Sequence, residues 1–464
     1  MNPIQQFDTI NLDLLKKYGK PGPRYTSYPT APNFSTDFTD EDYRNEIRER
    51  NLLDPPPPIS LYFHIPFCDT LCYFCGCNMM VTRDRAKIAE YVRHLKQEMD
   101  MISRLIDGGR PVEQLHWGGG TPTHLNPDEI ADLAQATRER FSFADDIEAG
   151  VEIDPRGMTR GHLEALYAGG FNRISMGIQD FNEKVQEAVN RIQPEDMTRE
   201  VIEWARGVGF TSLNIDLIYG LPFQSVETFD HTLDRIIDIN PDRIAVFNYA
   251  HVPWMKKHQA LIHEEDLPSP EEKLRIMKHT ITRLNQAGYL YIGMDHFARP
   301  DNELARAQAN GTLYRNFQGY STKAGLELFG LGITSISQFP GMYAQNVKNL
   351  KDYYQRLSEG RLCTQVGIRL TDDDILRRDV IMQLMCNYSV NKRDIEREYD
   401  IVFDEYFADA LRNLEELLND GCVELTDDAV KVVGPGILVI RNVAMAFDAY
   451  LANAKERPLF SKTV

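Results

Sequence analysis

The sequence has few of the features that mark exported, membrane-bound or nucleic-acid-binding proteins. Its first residues, MNPIQQFDTINLDLLKKYGK, show no basic-then-apolar leader pattern. No apolar run approaches the roughly 18 to 20 residues that span a bilayer. With 51 Lys and Arg against 69 Asp and Glu, the net charge is −18, so the chain lacks the basic surface that nucleic acid requires. We therefore expect a cytoplasmic protein with no membrane span and no nucleic-acid partner.

Cysteine is scarce and unevenly placed, with seven residues in 464. An odd, clustered set in an intracellular chain predicts metal or redox chemistry and not a disulfide framework. The clustered residues are Cys68, Cys72, Cys75 and Cys77. The scattered ones are interpreted as buried, inert thiols: Cys363, Cys386 and Cys422.

Domain boundaries are indicated by composition. The run DPPPP at 54–58 cannot continue a helix or a strand ladder. It separates a turn-rich N-terminal arm, 1–58, from a larger catalytic domain, 59–345. The segment 346–464 begins a different pattern, in which helices precede turn-linked short strands. It predicts a mostly helical, winged-helix-like C-terminal domain.

Between residues 59 and 340, short apolar runs alternate with helical stretches. This alternation predicts βαβ units and an α/β fold, a partial (β/α) barrel of parallel strands. Each predicted strand is followed by chemically unusual side chains, as expected where parallel strands end. The predicted strands are ISLYFHI, VEQLHW, IEAGVEI, RISMGI, SLNIDLIYG, RIAVFNYA and YLYIGMDHF.

The segment FHIPFCDTLCYFCGC carries the strongest chemical signal. Cys68, Cys72 and Cys75 follow the spacing Cys-x3-Cys-x2-Cys directly after a predicted strand. Three thiolates can hold three irons of a cubane cluster and leave the fourth iron open. The alternative is a structural zinc site with Cys77 as a fourth ligand. Zinc sites usually draw ligand pairs from separated segments, so the spacing favours iron and sulfur.

This loop, with Phe74 before its last cysteine and the stretch LHWGGGTPT, resembles the radical S-adenosylmethionine superfamily. Further segments resemble the family of oxygen-independent coproporphyrinogen III oxidases over nearly the whole length. They are SLYFHIPFC, FNRISMGIQDFN, NIDLIYGLP, FNYAH, GMDHFARP, GPRYTSYPT and YRNFQGYST.

The resemblance implies one [4Fe–4S] cluster on Cys68, Cys72 and Cys75, with Cys77 outside the ligand set, and two S-adenosylmethionine molecules. A reduced cluster would release a 5′-deoxyadenosyl radical, which removes a hydrogen from a substrate propionate. Loss of an electron and carbon dioxide leaves a vinyl group. Two such reactions convert coproporphyrinogen III to protoporphyrinogen IX in heme biosynthesis. A low-potential donor such as flavodoxin or ferredoxin and a monomeric state are also implied.

The resemblance also assigns cofactor residues. Those around the cluster-bound molecule are Tyr62, Gly119, Glu152 and Ile336. Those around the second molecule are Phe74, Gly120, Thr121, Gln179, Arg191, Asp216 and Ala250. Simpler alternatives exist: Glu152 and Asp216 as helix caps, Arg191 as a surface ion pair, and Ile336 as part of the core.

A substrate with four propionates requires local cations on a chain of net charge −18. The predicted substrate residues are Arg24, His296, Arg299 and Arg315. For Arg299 and Arg315 the alternative is an ion pair with Asp301 or Glu303.

Three other functions compete with the oxidase. They are a heme-binding chaperone of the same superfamily, a heme-degrading methyltransferase relative, and a zinc-stabilised binding module. The PRYTSYPT arm and the CGC ending argue against the chaperone. DHFARP and YRNFQGYST argue against the methyltransferase.

Overall fold

A computed structural model describes residues 10–451. Residues 1–9 of the predicted arm and 452–464 of the predicted C-terminal domain lie outside the described residues.

Strands are numbered in chain order. They are β1 (Ile59–Ile65), β2 (Phe67–Cys68), β3 (Met80–Val81), β4 (Val112–Gly119), β5 (Phe143–Ile153), β6 (Arg173–Gln179), β7 (Ser212–Tyr219), β8 (Arg243–Asn248), β9 (Leu290–Gly293), β10 (His296–Ala298), β11 (Tyr314–Asn316), β12 (Gly319–Ser321), β13 (Glu327–Leu331), β14 (Ile336–Phe339), β15 (Met342–Asn346), β16 (Thr364–Arg369), β17 (Ser389–Asn391), β18 (Val423–Leu425) and β19 (Ala429–Val432).

Helices are numbered in the same way. They are α1 (Leu12–Tyr18), α2 (Asp40–Asn51), α3 (Arg85–Ser103), α4 (Pro127–Arg140), α5 (Arg160–Ala168), α6 (Glu183–Ala188), α7 (Glu195–Val208), α8 (Val226–Ile239), α9 (Pro270–Gln286), α10 (Glu303–Ala309), α11 (Leu350–Ser358), α12 (Asp372–Asn387), α13 (Lys392–Tyr399), α14 (Phe403–Tyr406), α15 (Ala408–Asn413), α16 (Glu415–Asn419) and α17 (Ile440–Met445).

The chain forms two compact units. The sheet unit comprises Phe34–Pro268 and Gly325–Arg369. Among the described residues, the helical unit comprises 10–33, Ser269–Ala324 and 370–451. The three predicted domains, with boundaries at 58 and 345, stay a prediction.

The sheet unit contains strands in the order β16-β15-β14-β13-β1-β4-β5-β6-β7-β8. From β13 to β8 each strand is parallel to its neighbour, whereas β14, β15 and β16 run antiparallel. Helices α3, α4, α5, α7 and α8 connect the parallel strands. This arrangement confirms the predicted α/β fold with a partial barrel of parallel strands.

Buried aromatic side chains pack on one face of this sheet. Trp117 of β4 is fully buried, and its ring packs 4.7 Å from Phe171 and 6.1 Å from Phe63, centroid to centroid. Such pairs contribute about 0.5–1.5 kcal/mol beyond their buried area. Along β6 and β7, buried and half-buried residues alternate, so successive side chains point to opposite faces of the sheet. The half-buried face carries polar side chains, among them Ser175, Asn214 and Asp216.

The seventh predicted strand is wrong as a single strand. YLYIGMDHF forms β9 and β10 of the helical unit, which pair antiparallel with His296 opposite Gly293. Between them Met294 and Asp295 have φ of 44° and 70°, so the backbone reverses in a two-residue turn. The remaining parallel strand of the sheet unit is β13, which the sequence analysis did not predict.

In the helical unit, α12 begins after the N-cap Thr371, whose Oγ1 accepts a hydrogen bond of 3.1 Å from the Asp374 amide. Strands β17, β19 and β18 form an antiparallel sheet in that order. The N-terminal arm packs against the last residues of the unit: Tyr25 Oη donates to Asp448 Oδ2 at 2.9 Å, and the Ala449 amide donates to Tyr28 Oη at 3.0 Å. Within residues 10–451, no helix has the length and apolar character needed to cross a membrane.

Candidate active site

The cysteine loop follows β1, at the edge where the parallel strands end. Backbone hydrogen bonds hold it: the Met80 amide donates to Pro66 O at 2.6 Å, and the Tyr73 amide donates to Val189 O at 3.0 Å. His258 Nε2 donates to Cys75 O at 2.7 Å. The loop backbone is therefore anchored independently of any ligand.

The thiols of the loop are reduced and lie in a polar environment. Cys72 Sγ accepts hydrogen bonds from Arg156 Nη2 at 3.4 Å and from Arg191 Nη1 at 3.6 Å. Burial raises the pKa of Cys68 to about 12, whereas a hydrogen bond from Cys77 lowers the pKa of Cys75. In the described chain, no three His, Cys, Asp or Glu side chains are arranged to hold a single metal ion. A cubane places its three thiolates on separate irons.

The glycine run at the end of β4 brings the backbone close to this loop. A Cβ on Gly120 would lie 2.6 Å from the Pro66 carbonyl carbon, so only glycine fits there. Gly119, with φ of 115°, directs its amide to Glu152 Oε2 at 3.1 Å. Next to it, Thr121 Oγ1 lies 3.4 Å from Cys68 Sγ.

Three residues assigned to the cluster-bound cofactor lie on three adjacent strands: Tyr62 on β1, Gly119 on β4 and Glu152 on β5. Tyr62 of β1 lies opposite His116 of β4, with parallel rings 6.0 Å apart. His116 Nε2 donates to Glu152 Oε1 at 3.4 Å. Although burial opposes ionisation, the bonds from His116 and Gly119 leave the pKa of Glu152 lowered, so it is anionic at neutral pH.

Ile336, the fourth member of that group, begins β14 and is half-buried. The neighbouring Ser337 Oγ accepts from the Gly330 amide at 3.0 Å, and Gly330 pairs with Tyr62 across β13 and β1. Ile336 thus lies two strands away from Tyr62.

The second group centres on Arg191, whose side chain is 8% exposed. Its Nη1 donates to Asp154 Oδ2 at 2.9 Å and its Nη2 to Gly177 O at 2.5 Å. This burial rules out a surface ion pair. Gly177 pairs with Asp216 across β6 and β7. Gln179 ends β6 with φ of 70°.

Asp216 accepts from Ser175 Oγ at 3.0 Å and from Asn214 Nδ2 at 2.8 Å. Burial raises its pKa to about 6. Like Glu152, it lies within a strand and caps no helix in the described structure.

Phe74 and Ala250 occupy the loops of the same edge. Phe74 packs against an apolar cluster, and its carbonyl accepts from Gln259 Nε2 at 3.0 Å. Ala250 follows Tyr249, a member of that cluster, after the end of β8. The cluster comprises Val185, Val189, Leu221, Tyr249 and Ile262.

These residues fit an iron–sulfur cluster with a polar cofactor. Three thiols lie on one anchored loop, and two buried atoms at the same edge, Arg191 Nε and Asn248 Oδ1, have no hydrogen-bond partner within residues 10–451. An unpaired buried donor and acceptor are the groups that a polar ligand would satisfy.

The four predicted substrate residues all lie in the helical unit. Arg315 is 5% exposed, with its guanidinium 4.8 Å from the Tyr320 ring centre. His296 meets the same ring edge-on at 5.3 Å. Arg299 is partly exposed and lies 3.6 Å from Asp301, as the ion-pair alternative predicted. Arg24 is half-buried beside Pro23.

Sequence reasoning missed several neighbours of these residues. Asp154 and Arg156, in DPRG just after β5, form an ion pair of 2.6 Å and orient Arg191. Their position after a predicted strand was a usable signal. His116 gave a similar signal. Arg441 gave none, because its proximity to the arm depends on tertiary structure.

Comparison with known proteins agrees with this geometry. Residues 62–236 match the model of the radical SAM superfamily, and residues 370–439 match that of the HemN C-terminal domain. The chain is 49% identical to the oxygen-independent coproporphyrinogen III oxidase of Escherichia coli strain K12, covering 99% of this chain and 100% of that protein. It is 45% identical to the enzyme of that name from Synechocystis, covering 99% of each.

The solved structure of coproporphyrinogen III oxidase (HemN) from Escherichia coli, described as a radical SAM enzyme, superposes with a TM-score of 0.91 at 49% identity. The match covers 95% of this chain and 99% of that one. Full-length identity, fold and cysteine loop together show that the chain belongs to the oxygen-independent coproporphyrinogen III oxidase family of the radical SAM superfamily.

Proposed function

We propose that this chain oxidatively decarboxylates two propionates of coproporphyrinogen III to vinyl groups without oxygen, giving protoporphyrinogen IX in heme biosynthesis. The observation that carries the proposal is the anchored three-cysteine loop at the edge of the parallel strands, in a chain that matches these oxidases over its full length.

Cys68, Cys72 and Cys75 would hold one [4Fe–4S] cluster, and Cys77 would stay outside the ligand set. When bound and reduced, the cluster supplies the electron that cleaves S-adenosylmethionine. Arg156 Nη2 and Arg191 Nη1 donate hydrogen bonds to Cys72 Sγ, so they would help to orient this side chain in the loop.

We further propose two S-adenosylmethionine sites in the sheet unit. In the first, the ionised Glu152 accepts hydrogen bonds from an ammonium or hydroxyl group, with Tyr62, Gly119 and Ile336 beside it. In the second, Arg191 is held by Asp154 and offers its free Nε to a carboxylate. The remaining residues of this second site are Phe74, Gly120, Thr121, Gln179, Asp216 and Ala250.

The propionates would be held in the helical unit by Arg24, His296, Arg299 and Arg315. Arg315 is the best supported of these, because it is buried and two of its nitrogens lack partners within residues 10–451. A low-potential donor such as flavodoxin or ferredoxin, a monomeric state and a cytoplasmic location complete the proposal.

An anaerobic assay with coproporphyrinogen III, S-adenosylmethionine and a reductant tests this function. We expect protoporphyrinogen IX to form with two S-adenosylmethionine cleaved per product, and the Cys68→Ala variant to form none. A wild-type protein that binds heme tightly but forms no protoporphyrinogen would favour the chaperone. Modification of heme would favour the methyltransferase relative.

A further inference from the structure

The helical unit contains a local excess of positive charge. Arg24, Arg315 and Arg441 act on a single carboxylate, Asp295. Burial raises the pKa of Asp295, and the three arginines oppose that rise. Arg441 experiences the same cluster, since burial and repulsion by Arg24 and Arg315 lower its pKa to about 10. Three cations thus share one anion in an acidic protein.

Arg315 is the member with unused hydrogen-bond donors. It is 5% exposed, and its Nε and Nη1 have no acceptor in the described part of the chain. The Tyr320 ring under the guanidinium stabilises its charge but occupies only one face. A buried guanidinium with free in-plane donors is costly unless an anion completes it.

Arg441 connects this cluster to the N-terminal arm. It is 5% exposed, its Nε donates to Pro23 O at 2.8 Å, and its Nη2 donates to Gly22 O. These bonds fix the backbone immediately before Arg24. On the other side, Tyr25 is bound to Asp448. Arg24 is therefore held at a defined position and not on a loose tail.

The turn between β9 and β10 presents the carboxylate. Met294 and Asp295 both adopt left-handed backbone conformations, which Met rarely occupies. The adjacent His296 is fixed by a bond of 2.7 Å between its Nδ1 and Met294 O, and it packs on Tyr320, the ring that also supports Arg315. The turn therefore places Asp295 next to His296, whose ring contacts the same tyrosine as the Arg315 guanidinium.

We propose that Arg24, Arg315 and Arg441, partly balanced by Asp295, form a carboxylate-binding site that takes one propionate of the tetrapyrrole. The identification of the ligand rests on the proposed function. Guanidinium groups bind carboxylates through paired donors, and Arg315 has Nε and Nη1 free for that geometry. Arg441, absent from the sequence-based set, is the third cation.

Equilibrium binding to the anaerobic holoenzyme tests the site, with coproporphyrin III, the stable oxidised form of the substrate, as the fluorescent probe. We expect Arg315→Ala to weaken coproporphyrin III binding by about 10- to 100-fold. The same substitution should weaken the binding of mesoporphyrin IX by a smaller factor, because mesoporphyrin IX has two carboxylates instead of four. S-adenosylmethionine affinity and cluster absorption should not change. Arg412→Ala is the matched control, because that arginine is on the surface and pairs with Asp409.

Arg24→Ala provides a second variant should Arg315→Ala fail to fold, since Arg24 is only half-buried. Unchanged coproporphyrin III affinity in the folded variants, with an active wild type, would overturn the site and leave the function intact. Loss of S-adenosylmethionine affinity instead would assign the carboxylate to the cofactor and also overturn it. A wild type that forms no protoporphyrinogen would overturn the function and this inference together.

Discussion

The polar residues of the sheet unit and those of the helical unit are organised differently. In the sheet unit the carboxylates of the candidate site are each bound by neighbouring side chains or amides. Glu152 accepts hydrogen bonds from His116 and Gly119, and Asp154 forms ion pairs with Arg156 and Arg191. In the helical unit three arginines, Arg24, Arg315 and Arg441, act on one carboxylate, Asp295, and Arg315 keeps two nitrogens unpaired within residues 10–451.

This difference indicates different tasks. Paired groups are preorganised, so they can hold a cofactor in one geometry without rearranging. Unpaired buried guanidinium nitrogens remain costly until an anion arrives, so they favour binding of an anionic ligand. Within residues 10–451 Arg315 has two such nitrogens, whereas Arg191 of the sheet unit has one and is held by Asp154 and Gly177.

The largest effect is expected at the cysteine loop. Cys68→Ala, Cys72→Ala or Cys75→Ala should abolish both the iron–sulfur absorption and the cleavage of S-adenosylmethionine, because each would remove one of the three proposed thiolate ligands of the cluster. Cys77→Ala, on the same loop, is the control and should assemble the cluster. Anaerobic absorption and electron paramagnetic resonance spectra measure this. A Cys77→Ala protein that lacks the cluster as completely as Cys68→Ala would refute the three-ligand assignment.

Deletion of residues 1–30 should impair turnover without affecting the cluster of the sheet unit. It removes Arg24 and the anchor of Tyr25 on Asp448, but no residue of the sheet unit. We expect the sheet unit to stay folded with its cluster and turnover to fall by at least about 100-fold, since a misplaced substrate reacts poorly. Cluster absorption and product formation are measured on the same sample. Full turnover in the truncated protein would show that the arm has no role in catalysis.

The sequence pattern is sufficient to predict those elements whose structure depends on neighbouring residues in the chain. The run ISLYFHI coincides with β1, Ile59–Ile65, because a buried parallel strand is a short apolar run bounded by turn residues. Thr371 was recognisable as a cap from the acidic turn after it. The cysteine loop was recognisable because Cys68, Cys72 and Cys75 lie within eight residues of the sequence.

Sequence reasoning failed where tertiary contacts decide. Nothing local indicates that Met294 and Asp295 would adopt left-handed conformations, since hairpin turns of this kind usually carry Asn and Gly. β13 is only five residues long and contains Gly330, so its sequence carries no clear strand pattern. Arg441 lies far along the chain from Arg24, and only folding brings them together. The clustering of the arginines was therefore not predictable.

A smaller effect is expected at another carboxyl of the sheet unit, Glu98 of α3. This buried carboxyl accepts from the Gly332 amide, Asn346 Nδ2 and Tyr353 Oη, yet burial raises its pKa to about 7. The folded state keeps this proton where the unfolded state, with its ordinary Glu pKa, has lost it. The free energy of unfolding therefore falls as pH rises towards 7.

Between pH 5.5 and 8 this fall should amount to about 2 kcal/mol in the wild type relative to Glu98→Gln, whose amide does not titrate. Anaerobic urea unfolding at both pH values measures it. Glu90→Gln, exposed on the same helix, should keep the wild-type dependence. The same pH dependence in Glu98→Gln and wild type would show that Glu98 does not keep its proton in the fold.

The most direct test of the central comparison measures two affinities in two variants of the anaerobic holoenzyme. Glu152→Gln should weaken binding of S-adenosylmethionine by at least about tenfold, because it removes an anionic acceptor, and should leave coproporphyrin III affinity unchanged. Arg315→Ala should weaken binding of coproporphyrin III and leave the affinity for S-adenosylmethionine unchanged. If both variants weaken both ligands equally, or if the pattern is reversed, the assignment of cofactor to the sheet unit and substrate carboxylate to the helical unit is wrong.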